Sequence, residues 1–453
     1  MPDTMRHDTM GCAGDPVTRT PNMDRLAAEG VRFSHACTNS PLCMPARACF
    51  ITGQYPHNHH MWTNASRLPP VAESVFCRLQ KVGYRTAHIG KSHYYAHGQF
   101  HLRSEEPYLR SRGLEDLWET TGPWSTVQAD SYMTDHWDTQ GLTAVFRQDY
   151  ERRREAGAWE CWPSPLPEAE HPDSYVGRRA TEYLRAYDDS RPFCLFVGFP
   201  GPHDPYDPPE ALAGLYEPDR MPRAIPPGEP GDWLPPAVRE QMHTLAALDP
   251  GAERIRRVRA FYQANVTLID RWFGEMLEVL DGRGWTHNAL VVYWSDHGDL
   301  LGDHHRLAKS VFYESALRIP LILRWPARIG PGRVRDQLAS TVDLFPTILE
   351  AARAEPGQDC QGRSLWPVIE DAAAELPEEV LSEIYPAPMG HVAVRTATWK
   401  YAVTRQGLAT MLFDLVRDPQ EQCNLAGHPD YREVEQEMRD RLLRSLTEKQ
   451  PVL

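Results

Sequence analysis

The stretch SPLCMPARACFITGQYPHNHH, residues 40–60, indicates an extended segment that turns directly into a helix. Pro45 suits the first helical turn and Gly53 suits the position after the last one. Cys43 would then lie at the helix N-terminus, where free N–H groups and the dipole favour negative charge. Arg47, four residues on, would stand on the same face one turn away. A nucleophile, an anion-favouring helix end and a guanidinium would therefore meet, which suits an oxyanion substrate.

The short motif is not decisive by itself. C-x-P-x-R recurs by chance, and for the motif alone a buried structural cysteine beside a surface arginine is the better explanation. Cysteine-phosphatase chemistry fits poorly, because its Cys and Arg flank a longer phosphate-cradling loop than the one between Cys43 and Arg47. The rest of the chain has to decide between these interpretations.

Outward from this stretch, short apolar runs alternate with helical patterns, which is typical of an α/β fold. Helices are predicted at 21–30, 73–82 and 254–280, and strands at 84–89, 192–199, 289–294 and 320–325. After about residue 372 the pattern changes to short strands at 392–396, 400–403 and 411–415 and a final helix at 431–446. We therefore expect a large α/β domain over 1–372 and a small α+β unit over 373–453.

A proline-rich segment interrupts the larger domain. Residues 200–236 hold twelve prolines in 37 positions. Such a segment fits neither a central strand nor a long helix, so we expect an ordered surface loop. Long ordered loops often shape a site.

Charged side chains follow several predicted strands at the point where each strand ends. They are Lys91 and His93, His203, and Asp296 and His297, with Lys309 on a later helix-like segment. Each would pass alone for an ordinary turn or surface residue. Ligand sites of open α/β sheets lie beyond the carboxyl ends of the strands, so the shared position predicts one site. The adjacent carboxylate and imidazole of Asp296 and His297 suit a divalent ion.

Composition excludes several classes of function. The net charge of −14 makes the chain a poor nucleic-acid binder, because phosphate repels it. The longest apolar runs are too short to span a bilayer, and no signal peptide is visible. Nine scattered cysteines without zinc-site spacing suggest a reduced protein. We expect a cytoplasmic enzyme without nucleic-acid or membrane partners, unless a missing N-terminal extension directs it elsewhere.

Together these segments resemble the type I sulfatases of the alkaline-phosphatase superfamily over nearly the whole length. The stretch at 40–60 is similar to the signature in which C-x-P-x-R directs oxidation of cysteine to formylglycine. Supporting matches follow in order: TPNMDRLAAEGVRF, GYRTAHIGKSH, GPHDPY, WSDHGDLLGDHH, FYESALRIPLILRWP and LFDLVRDPQEQCNLA. Joint occurrence by chance in this order is negligible.

The resemblance implies a large, mixed, mostly parallel sheet sandwiched by helices, with a small C-terminal α+β subdomain. It implies a sulfuric-ester hydrolase acting on a small-molecule or carbohydrate sulfate ester. Cys43 would be oxidised to formylglycine by a formylglycine-generating maturation enzyme, and the hydrated aldehyde would supply the attacking hydroxyl.

The resemblance also implies roles for the remaining site residues. Arg47 would stabilise the hydrated aldehyde. Asp3, Asp296 and His297 would bind the metal, Ca²⁺ or alternatively Mn²⁺ or Mg²⁺. Four side chains would surround the sulfate: Lys91, His93, His203 and Lys309. The leaving alcohol would take a proton from His203 or Lys309, and His93 would help deprotonate the second hydroxyl.

The N-terminus departs from the family pattern. The usual apolar strand is absent, Asp3 falls on the first ligand position, and Thr4 falls where a second acidic or amide ligand is expected. Either the start is misplaced or truncated, which we favour, or part of the metal site is lost. Asp8 is the nearest replacement carboxylate.

Two other functions compete. A phosphonate monoester or phosphodiester hydrolase of the same superfamily would use the same aldehyde, but GKSH at 90–93 favours a sulfatase, because the phosphonate branch tends to carry uncharged hydroxyl residues there. A degenerate member would bind an anion or a partner without turnover. The tryptophans of segment 94–170, Trp124 among them, either shape the pocket mouth or pack the segment's own core, and we favour the second interpretation.

Overall fold

The computed structural model describes residues 1–69, 73–385 and 391–449. The α-helices in these ranges are α1 (Pro21–Glu29), α2 (Cys43–Thr52), α3 (Pro56–His59), α4 (Val75–Lys81), α5 (Glu106–Ser111), α6 (Tyr132–Asp138), α7 (Leu142–Ala156), α8 (Pro172–Ala186), α9 (Glu210–Ala213), α10 (Pro236–Ala246), α11 (Ala252–Gly282), α12 (Glu314–Leu317), α13 (Leu344–Ala351), α14 (Trp366–Glu370) and α15 (Arg432–Glu448). The strands are β1 (Val31–Cys37), β2 (Arg85–Lys91), β3 (Asp116–Thr120), β4 (Phe193–Gly198), β5 (Val291–Trp294), β6 (Leu321–Arg324), β7 (Arg333–Ser340), β8 (Glu379–Glu383), β9 (Val392–Thr396), β10 (Trp399–Val403) and β11 (Ala409–Asp414).

The strands of the larger domain form two neighbouring sheets. One is all-parallel with the order β3-β2-β4, and the other has the order β5-β6-β1-β7. In the second sheet β1 and β7 are parallel, whereas β6 runs antiparallel to both of its neighbours. The mixed, mostly parallel character expected for this domain is confirmed.

The N-terminal segment lies between these two sheets. The Met1 amine donates to Val197 O at 2.9 Å, and Pro2 forms a parallel bridge with Phe199 on the continuation of β4. On the other side the Ser295 hydroxyl, just past β5, donates to Pro2 O at 3.1 Å. The segment thereby delivers the next residue, Asp3, to the carboxyl ends of the strands.

Helices cover both faces of the sheets. Neighbouring strand residues point to opposite faces, so Trp294 and Leu323 pack with α2, α4 and α13, while Tyr293 and Ile322 pack with α1, α8 and α11. The long helix α11 buries a continuous apolar stripe, as its three- and four-residue spacing predicts. The helix-sandwiched α/β architecture is therefore confirmed.

The C-terminal strands form a separate antiparallel sheet of order β11-β10-β9-β8. Met438 and Leu442 of α15 are buried in the core of this unit. The unit joins the larger domain where Glu383 N, at the end of β8, donates to Asn39 O at 2.8 Å. This matches the small α+β appendage expected from the sequence.

The predicted helices and strands correspond to observed elements within a few residues, but four strands were missed. They are β1, β3, β7 and β8. β1 and β7 carry charged or polar residues that the fold buries or pairs, so neither forms an apolar run. No helix among the described residues combines the length and the apolar character needed to cross a bilayer.

Candidate active site

Cys43 is the first residue of α2 and is buried. Leu42 before it is extended, with φ −152° and ψ 134°, so the chain turns into the helix at this cysteine. The Cys43 Sγ atom lies 3.2 Å from His297 Nε2 and 3.7 Å from Asp3 Oδ1. The predicted placement of a nucleophile at a helix N-terminus is therefore observed, and its nearest neighbours come from two distant segments.

Arg47 lies one turn further along α2, and its side chain is wholly inaccessible to solvent. Its Nε donates to Asp296 Oδ2 and its Nη2 to Asp3 Oδ2, both at 2.9 Å. Its Nη1 donates to the Lys91 carbonyl at 2.6 Å. A buried guanidinium needs such complete pairing. Arg47 thus ties α2 to both carboxylates and to the end of β2.

Asp3 accepts several donors at once. Its Oδ2 accepts from the Lys91 ammonium as well as from Arg47, and its Oδ1 accepts from the Thr4 hydroxyl at 2.6 Å. The Thr4 amide donates to Asp296 Oδ1 at 2.9 Å. Thr4 thus supplies hydrogen bonds at the position where a second acidic ligand was expected. Asp8 is instead paired with Arg6.

One group of described residues converges closely enough to hold a metal ion. Ligand atoms of Asp3, Cys43, Asp296 and His297 all lie within 4.8 Å of one another, and all four residues are buried. Two carboxylates suit hard divalent cations, and the imidazole widens the choice toward Mn²⁺. The donor set therefore fits a divalent ion, with Arg47 and Lys91 beside it to balance charge.

A second pair of basic groups faces Cys43 from the loops after β4 and β5. Lys309 Nζ and His203 Nε2 are 2.5 Å apart. His203 Nδ1 lies 2.8 Å from the Asp204 carbonyl and 3.0 Å from Asp204 Oδ1. The indole N–H of Trp124 donates to Asp204 Oδ2 at 2.6 Å.

Lys91 and His93 leave the end of β2 through a tight backbone passage. Gly90 has φ +100°, and a Cβ atom there would meet Gly198 O at 2.1 Å, so only glycine fits. His93 itself has φ +56°, and its buried Nδ1 has no hydrogen-bond partner among the residues that the structure describes. This bend carries His93 into the site.

The buried charges shift the acidity of these groups strongly. Burial alone would raise the pKa of the Cys43 thiol, but Lys309, Lys91 and His297 together hold it well below its usual value. Burial, with Lys91 nearby, holds the pKa of His93 well below its usual value. Burial and Lys309 oppose the charged form of His203, yet Asp204 raises its pKa to about 10. The site therefore favours negative charge at residue 43.

The structure brings the predicted residues into one site. Asp3, Cys43, Arg47, Asp296 and His297 form its base, and the groups expected around the substrate are Lys91, His93, His203 and Lys309. Sequence reasoning gave Asp204 no role, and it considered Trp124 only as part of the tryptophan-rich segment 94–170. Asp204 adjoins His203 in GPHDPY, which is a usable signal, but nothing in the sequence links Trp124 to that loop.

Comparison with known proteins agrees with this geometry. The family model described as Sulfatase matches residues 1–354. A second model, described as N-sulphoglucosamine sulphohydrolase, C-terminal, matches residues 302–448. The two matches together span nearly all of the chain.

Named relatives and solved structures cover the chain equally well. An arylsulfatase of Clostridium perfringens is 28% identical over 98% of this chain and 93% of its own length. A choline-sulfatase of Rhizobium meliloti is 30% identical over 90% of this chain and 78% of its own. The solved phosphonate monoester hydrolase from Silicibacter pomeroyi superposes with a TM-score of 0.82 at 22% identity, covering 100% and 95% of the two chains.

Proposed function

Because this chain belongs to the sulfatase family and is a sulfuric-ester hydrolase, we propose that its reaction takes place at Cys43. The thiol in the structure marks the position of the formylglycine that a separate maturation enzyme would produce. When formed, the hydrated aldehyde supplies a hydroxyl that attacks sulfur, and it then releases sulfate by elimination, without an external nucleophile.

The observation that carries the proposal is a group of buried basic side chains facing residue 43, of which Lys309 lacks a carboxylate partner among the described residues. Arg47 and Lys91 are paired with Asp3 and Asp296, and His203 is paired with Asp204, but Lys309 has no carboxylate within ion-pair distance among the described residues and faces His203. At 2.5 Å the two facing nitrogens cannot both carry a donated hydrogen unless an acceptor lies between them. A sulfate ester is an anion that accepts several hydrogen bonds, so it satisfies both groups when it binds.

The chain's own residues divide the remaining work. Arg47 and Lys91 hold the reacting groups and offset charge as it builds up on the transferring sulfate. His203 or Lys309 gives a proton to the leaving alcohol, and His93, whose pKa burial keeps low, is a base that takes a proton from the second hydroxyl.

Asp3, Asp296 and His297 would hold the metal ion, for which we propose Ca²⁺, with Mn²⁺ or Mg²⁺ as alternatives. The ion would supply Lewis-acid stabilisation to the substrate oxygen. The two carboxylates already accept hydrogen bonds from Arg47, so their orientation does not depend on the ion.

The domain boundary, the cellular location and the identity of the ester are proposals that rest on the sequence. We propose the division into 1–372 and 373–453, with its boundary between α14 and β8. The cytoplasmic location also stays a prediction. The ester that we propose as substrate is an aryl, choline-type or carbohydrate sulfate. A phosphonate monoester is the alternative, because this chain shares its fold with a phosphonate monoester hydrolase.

The first experiment examines residue 43 directly. Protein made together with a maturation enzyme is digested with trypsin, and the peptide covering residues 33–47 is fragmented in a mass spectrometer. We expect loss of sulfur and gain of oxygen at Cys43, whereas Cys37 in the same peptide stays a thiol. An unmodified Cys43 in active protein would contradict the proposal.

The same preparation is assayed with para-nitrophenyl sulfate, choline sulfate, a sulfated monosaccharide and phenyl phosphonate. Cys43→Ala should lower kcat by on the order of 10⁴-fold, because it removes the nucleophile. Cys49→Ala, on the same helix but beside His59, is the matched control and should remain active. Faster turnover of phenyl phosphonate than of every sulfate would favour the alternative.

A further inference from the structure

We propose that Asp204, held by Trp124, is a positioning residue that makes His203, rather than Lys309, the proton donor to the leaving alcohol. The inference rests on the proposed function and settles a choice that the mechanism leaves open. It follows from the contacts of His203 on its two sides.

One side of His203 is anchored entirely by residue 204. Nδ1 faces both the backbone carbonyl at 2.8 Å and the carboxylate Oδ1 at 3.0 Å, and both groups accept hydrogen bonds. Nδ1 therefore carries a hydrogen. The other carboxylate oxygen accepts from Trp124 Nε1 at 2.6 Å, and the Trp124 ring packs edge-on against buried Tyr150 at 5.3 Å. The carboxylate is thus fixed against the imidazole.

The other side of His203 faces Lys309. At 2.5 Å, Lys309 Nζ and His203 Nε2 cannot both donate, so one of them accepts in the absence of substrate. A bound sulfate would accept from each and let both carry a proton. No carboxylate in the described part of the chain lies within ion-pair distance of Lys309, whereas Asp204 contacts His203 directly. The charge of Asp204 therefore favours the imidazolium.

The proton then follows a defined route. As the sulfur–oxygen bond to the alcohol breaks, that oxygen takes the proton from His203 Nε2, and the electron pair of the broken bond forms the new O–H bond. The neutral imidazole keeps its Nδ1 hydrogen on residue 204 and regains a proton from water after the alcohol leaves. Lys309 stays charged throughout and stabilises the sulfate oxygens.

The test is Asp204→Asn, assayed with an alkyl sulfate and with para-nitrophenyl sulfate. The backbone carbonyl of residue 204 remains to hold Nδ1, so this variant removes charge rather than orientation. An alkoxide needs protonation to leave and nitrophenolate does not. We expect kcat for the alkyl ester to fall about ten- to a hundredfold and kcat for the aryl ester to fall less than about threefold.

Two further variants keep the result interpretable. Trp124→Phe keeps the ring but loses the N–H, and it should shift the alkyl-to-aryl ratio in the same direction by a smaller factor. Glu170→Gln removes the partner of His136, a His–carboxylate pair at 2.8 Å outside the site, and should leave the ratio unchanged. Equal losses of kcat on both esters in Asp204→Asn, or no loss on the alkyl ester, would overturn the inference.

The wild-type control separates this inference from the proposed function. Wild-type protein that releases sulfate from both esters, together with equal losses in Asp204→Asn, refutes only the role of Asp204. Modified wild-type protein that releases sulfate from no ester refutes the proposed function, and the inference with it.

Discussion

Two clusters of buried charged side chains in this protein differ in how completely their charges are paired. In the first, around Cys43, Lys309 faces His203 at 2.5 Å, and no carboxylate in the described part of the chain lies within ion-pair distance of Lys309. The second lies where the C-terminal sheet joins the larger domain, and there Lys400 contacts both Glu314 and Glu421, while Arg395 binds Glu314 at 3.0 Å. Matched charges hold two parts of a fold together, whereas the unpaired ammonium of Lys309 is placed to bind an anion.

The acidities of the two clusters differ accordingly. Around Cys43 the charges of Lys309, Lys91 and His297 lower the pKa of a thiol that burial would otherwise raise. In the joining cluster burial and the charge of Glu314 raise the pKa of Glu421 to about 7, although Lys400 opposes the shift. The cluster around Cys43 thus favours negative charge, whereas the joining cluster disfavours additional negative charge.

The largest difference between the two clusters should appear when the metal ion is removed. Chelation should lower kcat by about 10³-fold, roughly 4 kcal/mol, because Lewis-acid stabilisation is lost. Arg47 and Lys91 still neutralise Asp3 and Asp296, so we expect the chelated protein to stay folded. Metal analysis, circular dichroism and recovery of activity on adding Ca²⁺, Mn²⁺ or Mg²⁺ check this.

Full activity after exhaustive removal of bound ions would argue against a catalytic metal. Unfolding upon chelation would show instead that the ion, rather than Arg47, holds the two carboxylates in place.

Breaking the joining cluster should act on stability and leave catalysis alone. Lys400→Met keeps the length of the side chain but leaves Glu421 without its buried cation, which should cost about 3 kcal/mol of unfolding free energy. The control Lys81→Met breaks an exposed pair with Glu73 and should cost less than about 1 kcal/mol. Urea unfolding measures both. A changed kcat in folded Lys400→Met protein would mean that the joining cluster also orients the site.

Much of the fold could be predicted because its strong signals are local. The spacing of apolar residues predicts α11, and the runs at 192–199 and 289–294 correspond to β4 and β5. β1 and β7 were not predicted, because their polar residues find partners only in the tertiary structure. Ser34 of β1, for example, donates to Asp336 of β7. A single sequence does not show which polar side chains will face each other.

The site follows the same rule. Cys43 and Arg47 lie one helical turn apart, and Asp296 and His297 are adjacent, so these relations are local. The contact of Trp124 with Asp204 joins residues 80 positions apart, and no periodic pattern predicts it. The family resemblance predicted that Thr4 occupies the position of a second metal ligand, but it did not predict the hydrogen bonds of Thr4 to Asp3 and Asp296.

The most gradual expected effect concerns Glu421 and the dependence of stability on pH. Its folded pKa of about 7 lies above the ordinary value of 4.5. The folded state therefore holds a proton that the unfolded chain loses first. The resulting stability is fully present below about pH 4.5 and is lost as the pH rises toward 7. Glu421→Gln should remove this slope, which amounts to at most about 1 kcal/mol per pH unit.

Urea unfolding from pH 4.5 to 7 measures the slope, with Glu437→Gln, an exposed position with the same change of charge, as the control. If Glu421 were instead held ionised by Lys400, wild-type stability would not decline across this window, and Glu421→Gln would be as damaging as Lys400→Met. Glu421 is the partner that becomes neutral by taking up a proton. We therefore expect the joining cluster to tolerate loss of the Glu421 carboxylate better than loss of the Lys400 ammonium.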